Sequence, residues 1–188
     1  MTVGKSNFER KESDFYQTPA WVTEALIRNL PVRGLTVWEP SAGNHAICDV
    51  LRDNGAVILS SDIEVYATPH NFFFDFLDPD TVPPWFYYNA IITNPPYGPG
   101  NRSAMKYAEL ALARTTGPIA LLLPDVFDFG KSRHRIFGGN PRFRGKIQLV
   151  DRIQWFEGAG GNTTNHAWYL WYTETPPPFI KYEKNRDG

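Results

Sequence analysis

The stretch AIITNPPY, residues 90–97, has the clearest structural and chemical pattern in this sequence. Its apolar first half predicts a buried strand, and its second half places an amide, two prolines and an aromatic ring where that strand ends. Because proline fixes φ and lacks a backbone donor, we expect the carbonyl groups of Asn94 and Pro95 to stay directed outward as hydrogen-bond acceptors. With the ring of Tyr97 beside them, they predict a stiff ledge that suits a planar group bearing an NH2.

Strand-like and helix-like segments alternate on both sides of this ledge. The segments expected as strands are 35–38, 56–60, 71–74, 90–93, 118–123, 146–150 and 166–172. Helices are expected over 45–53, over 103–114, and after Thr18 and Pro19, which resemble an N-cap and a first helical position. This alternation is typical of an α/β fold, a parallel sheet with helices on both faces. Ligands of such sheets bind beyond the carboxyl ends of the strands.

Length and composition set the broad class of protein. With 188 residues and 42% apolar content, the chain is expected to form a single domain, residues 1–188, in which 1–13 are a mobile arm and 176–188 an irregular tail. The single cysteine, Cys48, excludes an internal disulfide and fits a reducing cytoplasm. Neither a signal peptide nor an apolar run of membrane-spanning length is present, so no membrane partner is expected. The four histidines lack the spacing of metal ligands, so no metal is expected.

A glycine-containing turn and two acidic strand ends accompany the ledge. The turn Glu39-Pro40-Ser41-Ala42-Gly43-Asn44-His45 follows the first expected strand, and its glycine lets a ligand approach the backbone closely. The second expected strand ends in Asp62-Ile63-Glu64, where a carboxylate can accept hydrogen bonds from ribose hydroxyl groups. The third ends in Asp75-Phe76-Leu77. The informative residues therefore fall where ligands of a parallel sheet bind.

Together these segments resemble the amino-group methyltransferases that use S-adenosylmethionine, in which an Asn-Pro-Pro-Tyr or Asp-Pro-Pro-Tyr tetrapeptide is the catalytic signature. The resemblance covers nearly the whole chain. It implies a Rossmann-like class I methyltransferase fold, with about seven strands, mostly parallel, and an antiparallel last strand. It also implies that S-adenosylmethionine is the cofactor and that the catalytic residues are Asn94, Pro95, Pro96 and Tyr97.

The same resemblance implies which residues bind the cofactor. The turn 39–45 is similar to the Glu-Pro-x-Ala-Gly-x-Gly turn that binds the methionine part, although His45 stands where a second glycine is usual. Asp62 matches the ribose-binding position, with Glu64 as the alternative, Ile63 would lie against the adenine ring, and Asp75 would meet the adenine amino group. The full set of implied cofactor-binding residues is Gln17, Thr18, Pro19, Glu39, Pro40, Ser41, Ala42, Gly43, Asp62, Ile63, Asp75 and Phe76.

Residues 129–150 contain basic side chains and no acidic one, whereas the chain as a whole has a net charge of −1. A mobile basic loop of this kind can neutralise nucleic-acid phosphates; a solvated surface loop is the alternative. His166 and Trp168 are candidates for the far wall of a base pocket. The residues considered for nucleic-acid binding are Lys131, Arg133, Arg135, Arg142, Arg144, His166 and Trp168.

The favoured function is methylation of the exocyclic N6 of adenine in DNA, with the target base flipped out of the stack and placed on Tyr97. An RNA adenine or a protein glutamine amide would present an NH2 group to the same ledge, so both remain open. A third hypothesis is a non-catalytic nucleic-acid-binding subunit that kept the fold, with His45 as its mark. The sequence resembles a catalytic core alone, so a partner subunit for sequence recognition is a further expectation, and the oligomeric state is left open.

Overall fold

A computed structural model describes residues 17–83, 85–155, 164–173, 179–183 and 185. The arm expected over residues 1–13 lies outside these ranges, so that expectation stays a prediction. Within the described ranges, no helix is long and apolar enough to cross a membrane.

Helices and strands alternate along most of the described chain. The helices are α1 (Ala20–Ile27), α2 (Ala46–Asp53) and α3 (Arg102–Arg114), with 3-10 segments at Pro79–Thr81, Pro99–Asn101 and Lys131–Ile136. The strands are β1 (Thr36–Glu39), β2 (Val57–Asp62), β3 (Phe72–Phe73), β4 (Ala90–Thr93), β5 (Ile119–Pro124), β6 (Phe143–Leu149), β7 (His166–Trp171) and β8 (Phe179–Glu183). They form an eight-stranded sheet in the order β3-β2-β1-β4-β5-β7-β6-β8.

The mostly parallel α/β sheet predicted from the sequence is confirmed. Among the described strand pairs, only those of β7 with β5 and with β6 are antiparallel. The carboxyl ends of β1, β2, β4 and β5 therefore meet at one edge, which we call the carboxyl edge. Because β7 runs the other way, its first residue, His166, also lies at that edge.

The chain end differs from the sequence-based expectation. The tail expected to be irregular over 176–188 contains β8, which pairs in parallel with β6. Consequently the sheet has eight strands rather than about seven, and the antiparallel strand is not the last one in the chain. The proline run 176–178 favours irregular structure, but the aromatic and β-branched residues that follow it suit a strand. The open edge of β6 provides their hydrogen-bonding partner.

Two apolar layers enclose the sheet, one on each face. Alternate side chains of a strand point to opposite faces, so Ala90 and Ile92 of β4 pack toward α1 and α2, whereas Ile91 packs toward α3. Both layers are fully buried at β4 and β5, which explains why these strands have continuous apolar sequences. The helices thus cover both faces, as predicted, and leave the carboxyl edge as the place for polar groups.

Candidate active site

Asn94 lies at the carboxyl edge directly after β4, and both ends of its side-chain amide are held. Its Nδ2 donates a hydrogen bond to Thr18 Oγ1 at 3.2 Å, and the Tyr97 hydroxyl donates to its Oδ1 at 3.1 Å. The Tyr97 hydroxyl also lies 3.3 Å from the carbonyl oxygen of Leu122 in β5. Pro95 is buried and Pro96 is half-buried. The ledge is therefore a fixed polar group that remains partly accessible, because Asn94 itself is only half-buried.

Thr18 has a different role from the helix cap that its sequence position indicates. Helix α1 begins at Ala20, Pro19 precedes it, and no side-chain hydrogen bond from the cap position holds its first turn in the described part of the chain. The buried Thr18 hydroxyl instead accepts the hydrogen bond from Asn94. Gln17 is exposed beside it. The segment predicted to close over a cofactor thus touches the ledge directly, through a contact between residues that are distant in sequence.

An aromatic wall stands next to the ledge. The rings of Tyr97 and His166 are stacked, with centroids 5.9 Å apart and an interplanar angle of 24°. Trp155 meets His166 edge-on at 5.3 Å. Burial lowers the pKa of His166 to about 4, so its imidazole is neutral near neutral pH and behaves as a flat aromatic group. Sequence reasoning considered His166 but missed Trp155, for which no motif gives a signal.

Trp168 does not belong to this wall. It lies on the same face of β7 as His166, since side chains two residues apart share a face, but it is one step further from the carboxyl edge. Its side chain is completely buried, and its indole N–H donates to the carbonyl oxygen of Val22 in α1 at 2.7 Å. Trp168 therefore packs α1 against the sheet, which corrects its prediction as a nucleic-acid contact.

The turn after β1 is fastened to the end of β2 by Asp62. Asp62 Oδ2 accepts a hydrogen bond from the Gly43 N–H at 3.0 Å, and Oδ1 accepts from the Glu64 N–H at 3.1 Å. The Ala42 N–H adds a bond to the Ser61 carbonyl oxygen at 3.1 Å. Gly43 has a φ of +49°, a conformation that favours glycine. The carboxylate predicted to bind a ribose thus also sets the shape of the glycine turn.

Glu39, the last residue of β1, is a buried carboxyl group at the carboxyl edge. Its Oε1 accepts a hydrogen bond from the Ser41 N–H at 3.1 Å, whereas its Oε2 has no hydrogen-bond partner among the described residues. Asn44 Oδ1 is likewise buried without a partner in the described structure. Burial raises the pKa of Glu39 to about 8, although the nearby Thr93 side chain and the Ser41 backbone lower it in part. Buried acceptors of this kind are costly unless a ligand or a proton satisfies them.

Protonation of Glu39 gives the free energy of unfolding a specific pH dependence. Because its folded-state pKa of about 8 exceeds the ordinary value of 4.5, the folded protein holds a proton that the unfolded chain releases. The stabilisation from Glu39 is therefore complete below the ordinary pKa and is lost as the pH rises through the folded-state pKa. We expect the Tm of the parent protein to fall relative to that of Glu39→Gln between about pH 5 and about pH 9. Melting curves of both proteins in matched buffers test this expectation, and a constant difference across the range would contradict it.

Residues after β2 and β3 continue the site along the edge. Ile63 follows Asp62 and its side chain is 65% exposed, which suits contact with a flat ligand. Asp75 is half-buried, and its Oδ1 accepts from the Leu77 N–H at 2.8 Å. Phe76 is completely buried and stacks on Tyr107 at 4.5 Å. The Phe76 side chain therefore supports the edge from the α3 side, and its role in cofactor binding stays a prediction.

Pro40 and Ser41 attach the turn around Gly43 to the rest of the fold. Pro40 is buried, and Ser41 shares a hydrogen bond of 2.8 Å with the Tyr107 hydroxyl. These contacts hold the turn 39–45 against the α3 side of the sheet.

His45 stands where the family resemblance implies a second glycine, and its imidazole contacts that of His70. Its backbone is left-handed with a φ of +67°, and its Nε2 lies 3.0 Å from Nδ1 of His70. Burial lowers the pKa of His45, with the neighbouring His70 as a second cause. No third His, Cys, Asp or Glu joins them as a metal-binding group in the part of the chain that the structure describes. His70, on the connection between β2 and β3, was not identified from sequence.

Arg142 and Arg144 lie far from the ledge. Phe143, between them, pairs with Trp171, which in turn pairs with Ile119 at the amino end of β5. This is the edge of the sheet opposite to Asn94. The Arg142 guanidinium donates to the carbonyl oxygens of Leu112 and Gly117 at 3.1 and 2.9 Å, and that of Arg144 donates to the Pro141 carbonyl oxygen at 2.9 Å. They therefore lie away from the ledge, and their role in nucleic-acid binding stays a prediction.

The other basic residues considered for nucleic-acid binding, Lys131, Arg133 and Arg135, differ in their protein contacts. Arg133 donates to the Phe127 carbonyl oxygen at 2.7 Å, and Arg135 forms an ion pair with Glu109. Lys131 is exposed, and no ion pair involving it is found among the described residues. Its role in nucleic-acid binding stays a prediction.

The chain has the fold of known methyltransferases. It is similar to the modification subunit of a proposed type I restriction enzyme from Vibrio vulnificus YJ016, with 13% identity, a TM-score of 0.64 and coverage of 90% of this chain and 47% of that chain. It is similar to a proposed RNA methyltransferase, PH1948, from Pyrococcus horikoshii, with 13% identity, a TM-score of 0.64 and coverage of 85% and 87%. A proposed class I S-adenosylmethionine-dependent methyltransferase from Listeria monocytogenes matches with 13% identity, a TM-score of 0.54 and coverage of 88% and 62%.

These likenesses identify the fold as the Rossmann-like fold of class I methyltransferases. The chain spans about half the length of the modification subunit that it resembles. No protein-family model matches the sequence, and no curated protein matches it.

Proposed function

We propose that this protein transfers a methyl group from S-adenosylmethionine to the exocyclic N6 amino group of adenine in DNA. The observation that carries the proposal is the Asn94 amide, which is fixed by Thr18 and Tyr97 and stays partly accessible at the carboxyl edge. This ledge stands on a fold shared with methyltransferases. The likeness to a type I modification subunit favours DNA as the substrate class.

The carboxyl edge has the groups that S-adenosylmethionine requires. Glu39 Oε2 and Asn44 Oδ1 are buried without protein partners among the described residues. They suit a ligand such as the methionine ammonium group, whose positive charge would favour the ionised, hydrogen-bond-accepting form of Glu39. We assign Asp62 to the ribose and the exposed Ile63 to the adenine ring, and Asp75 lies further along the edge. When bound, the cofactor supplies an electrophilic methyl group on a sulfonium centre.

The ledge would activate the adenine amino group by holding its protons. That amino group is a poor nucleophile because its lone pair is delocalised into the ring. Asn94 Oδ1 already accepts from Tyr97, but a carbonyl oxygen has two lone pairs and can accept a second hydrogen bond, from the adenine N–H. Together with the Pro95 carbonyl oxygen, it would favour a pyramidal nitrogen and stabilise the positive charge that develops there. Catalysis then comes from orientation and fixed acceptors, without a covalent intermediate.

In duplex DNA the target adenine would first leave the base stack. The flipped base would stack on Tyr97, whose ring is supported by His166. The neutral state of His166 suits this role, since a cation behind the ring would oppose positive charge developing on the adenine nitrogen.

Identification of the methylated product tests the proposal. The protein is incubated with labelled S-adenosylmethionine and, separately, with duplex DNA, single-stranded DNA, RNA or protein, and the substrates are digested and analysed by mass spectrometry. We expect N6-methyldeoxyadenosine from DNA. Label in RNA adenine or in glutamine would assign the same chemistry to another substrate. Absence of both cofactor binding and transfer would support the non-catalytic subunit, for which His45 at the glycine position is the motivating feature.

A further inference from the structure

The loop that leaves β5 starts beside the aromatic wall. We call residues 125–131 the exit loop. Pro124, the last residue of β5, pairs with His166, and His166 stacks on Tyr97. The exit loop therefore begins at the carboxyl edge, next to the place where a flipped base would stack.

The side of the exit loop that faces the sheet is held by hydrogen bonds to β6 and β7. The Tyr169 hydroxyl lies 2.8 Å from the Asp125 carbonyl oxygen and 3.1 Å from Asp128 Oδ1. Lys146 Nζ donates to the same Asp125 carbonyl oxygen at 2.8 Å and forms an ion pair with Asp128 at 3.1 Å. Phe127 is completely buried. These bonds neutralise the Asp128 carboxylate and fix the path of the backbone.

The outer side of the same loop is apolar and basic. Val126 is 51% exposed and Phe129 is 67% exposed, although residues 127 and 128 between them point inward. Gly130 follows with a φ of +112°, a conformation that L side chains rarely adopt. The exposed Lys131 comes next. The loop that begins at the carboxyl edge thus carries an exposed aromatic ring and an exposed cation two residues apart, and the Phe129 ring centroid lies 5.8 Å from Lys146 Nζ.

We propose that the exit loop binds a nucleotide that neighbours the target adenine in unpaired DNA. Phe129 stacks on the base of this nucleotide and Lys131 contacts its phosphate. An aromatic face accepts any base, and a cation beside it follows the backbone, which is the usual combination in single-strand binding. The inference rests on the proposed function, because it takes DNA as the substrate, and it adds a second base-binding position to the one at Tyr97.

Binding of a short oligodeoxythymidylate tests this position. Thymine has no exocyclic amino group, so its binding does not depend on the methyl-transfer chemistry. We expect Phe129→Ala to weaken binding about 5- to 100-fold, measured by fluorescence anisotropy, and Phe129→Trp to retain it. An abasic oligomer of equal length should bind the parent protein and Phe129→Ala equally. Lys131→Ala should weaken binding of both oligomers and lower the slope of log affinity against log salt by about 1.

Tyr87→Ala is the matched control, since Tyr87 is an aromatic residue that is 73% exposed and precedes β4 at the opposite edge of the sheet. Unchanged affinity of Phe129→Ala for oligodeoxythymidylate, an equal loss on the abasic oligomer, or no binding by the parent protein would overturn the inference. Affinity for S-adenosylmethionine and product analysis are measured in parallel. Phe129-dependent binding without N6-methyldeoxyadenosine would overturn the proposed function alone.

Discussion

Replacing Asn94 with alanine is expected to lower methyl transfer by about 100- to 1,000-fold, the scale of losing one fixed polar group at a reacting centre. The physical reason is that Asn94 Oδ1 is a preoriented acceptor, held between Thr18 and the Tyr97 hydroxyl. Affinity for S-adenosylmethionine should largely survive, because most groups assigned to the cofactor lie after β1, β2 and β3, and Thr18 loses only its bond to Asn94. Single-turnover transfer to DNA and calorimetric titration with the cofactor measure the two quantities separately.

Two further variants separate the role of the acceptor from that of its support. Asn94→Asp keeps the acceptor oxygen, so it should retain more activity than Asn94→Ala. Thr18→Val removes the bond to Asn94 Nδ2 but leaves Oδ1 in place, so a smaller loss of transfer is expected. Equal loss of transfer and of cofactor binding in folded Asn94→Ala would contradict the assigned role, as would full activity of that variant.

The central strands of the sheet were predictable because they are buried on both faces. The segments 90–93 and 118–123 have continuous apolar sequences, and the structure places β4 and β5 there. β8 was missed because its pairing partner is β6, which local sequence does not reveal. The proline run before it also favoured an irregular reading. Local composition thus identifies central strands better than an edge strand whose stability depends on a distant neighbour.

Within the candidate site, the positions were predictable but the contacts were not. Motifs at strand ends identified Asn94, Asp62 and Glu39, because parallel strands bring their carboxyl ends to one edge. The hydrogen bond from Asn94 to Thr18 joins distant parts of the chain, so the cap-like sequence at Thr18 gave the wrong local role. Glu39 Oε2 is buried without a hydrogen-bond partner among the described residues, and a sequence motif does not report such burial.

The basic segment, residues 129–150, shows what a charge pattern alone does not predict. Charge patterning found the cations of residues 129–150, but a charge pattern carries no information about partners. Arg142 binds backbone carbonyl oxygens at the edge opposite to Asn94, whereas Lys131 is exposed. Similarly, Trp168 was assigned to the far wall of a base pocket although its side chain is completely buried and hydrogen-bonded to Val22.

Asp62→Ala is expected to weaken S-adenosylmethionine binding by about 1–3 kcal/mol, the scale of hydrogen bonds to a charged group. Two effects contribute to this loss. The carboxylate no longer accepts from ribose hydroxyl groups, and the N–H groups of Gly43 and Glu64 lose their acceptor, so the glycine turn becomes less well ordered. Calorimetric titration with S-adenosylmethionine measures the affinity, and the Tm without cofactor reports the loss of the turn contact.

Glu64→Ala is the matched control, because Glu64 is an exposed carboxylate only two residues away. If Asp62 binds the ribose, Glu64→Ala leaves the affinity nearly unchanged while Asp62→Ala lowers it. Adenosine without the methionine part should then show the same loss, since the ribose contact is common to both ligands. Weaker binding of S-adenosylmethionine with unchanged adenosine affinity would instead indicate that Asp62 acts only through the turn. An unchanged affinity in Asp62→Ala combined with a loss in Glu64→Ala would assign the ribose contact to Glu64.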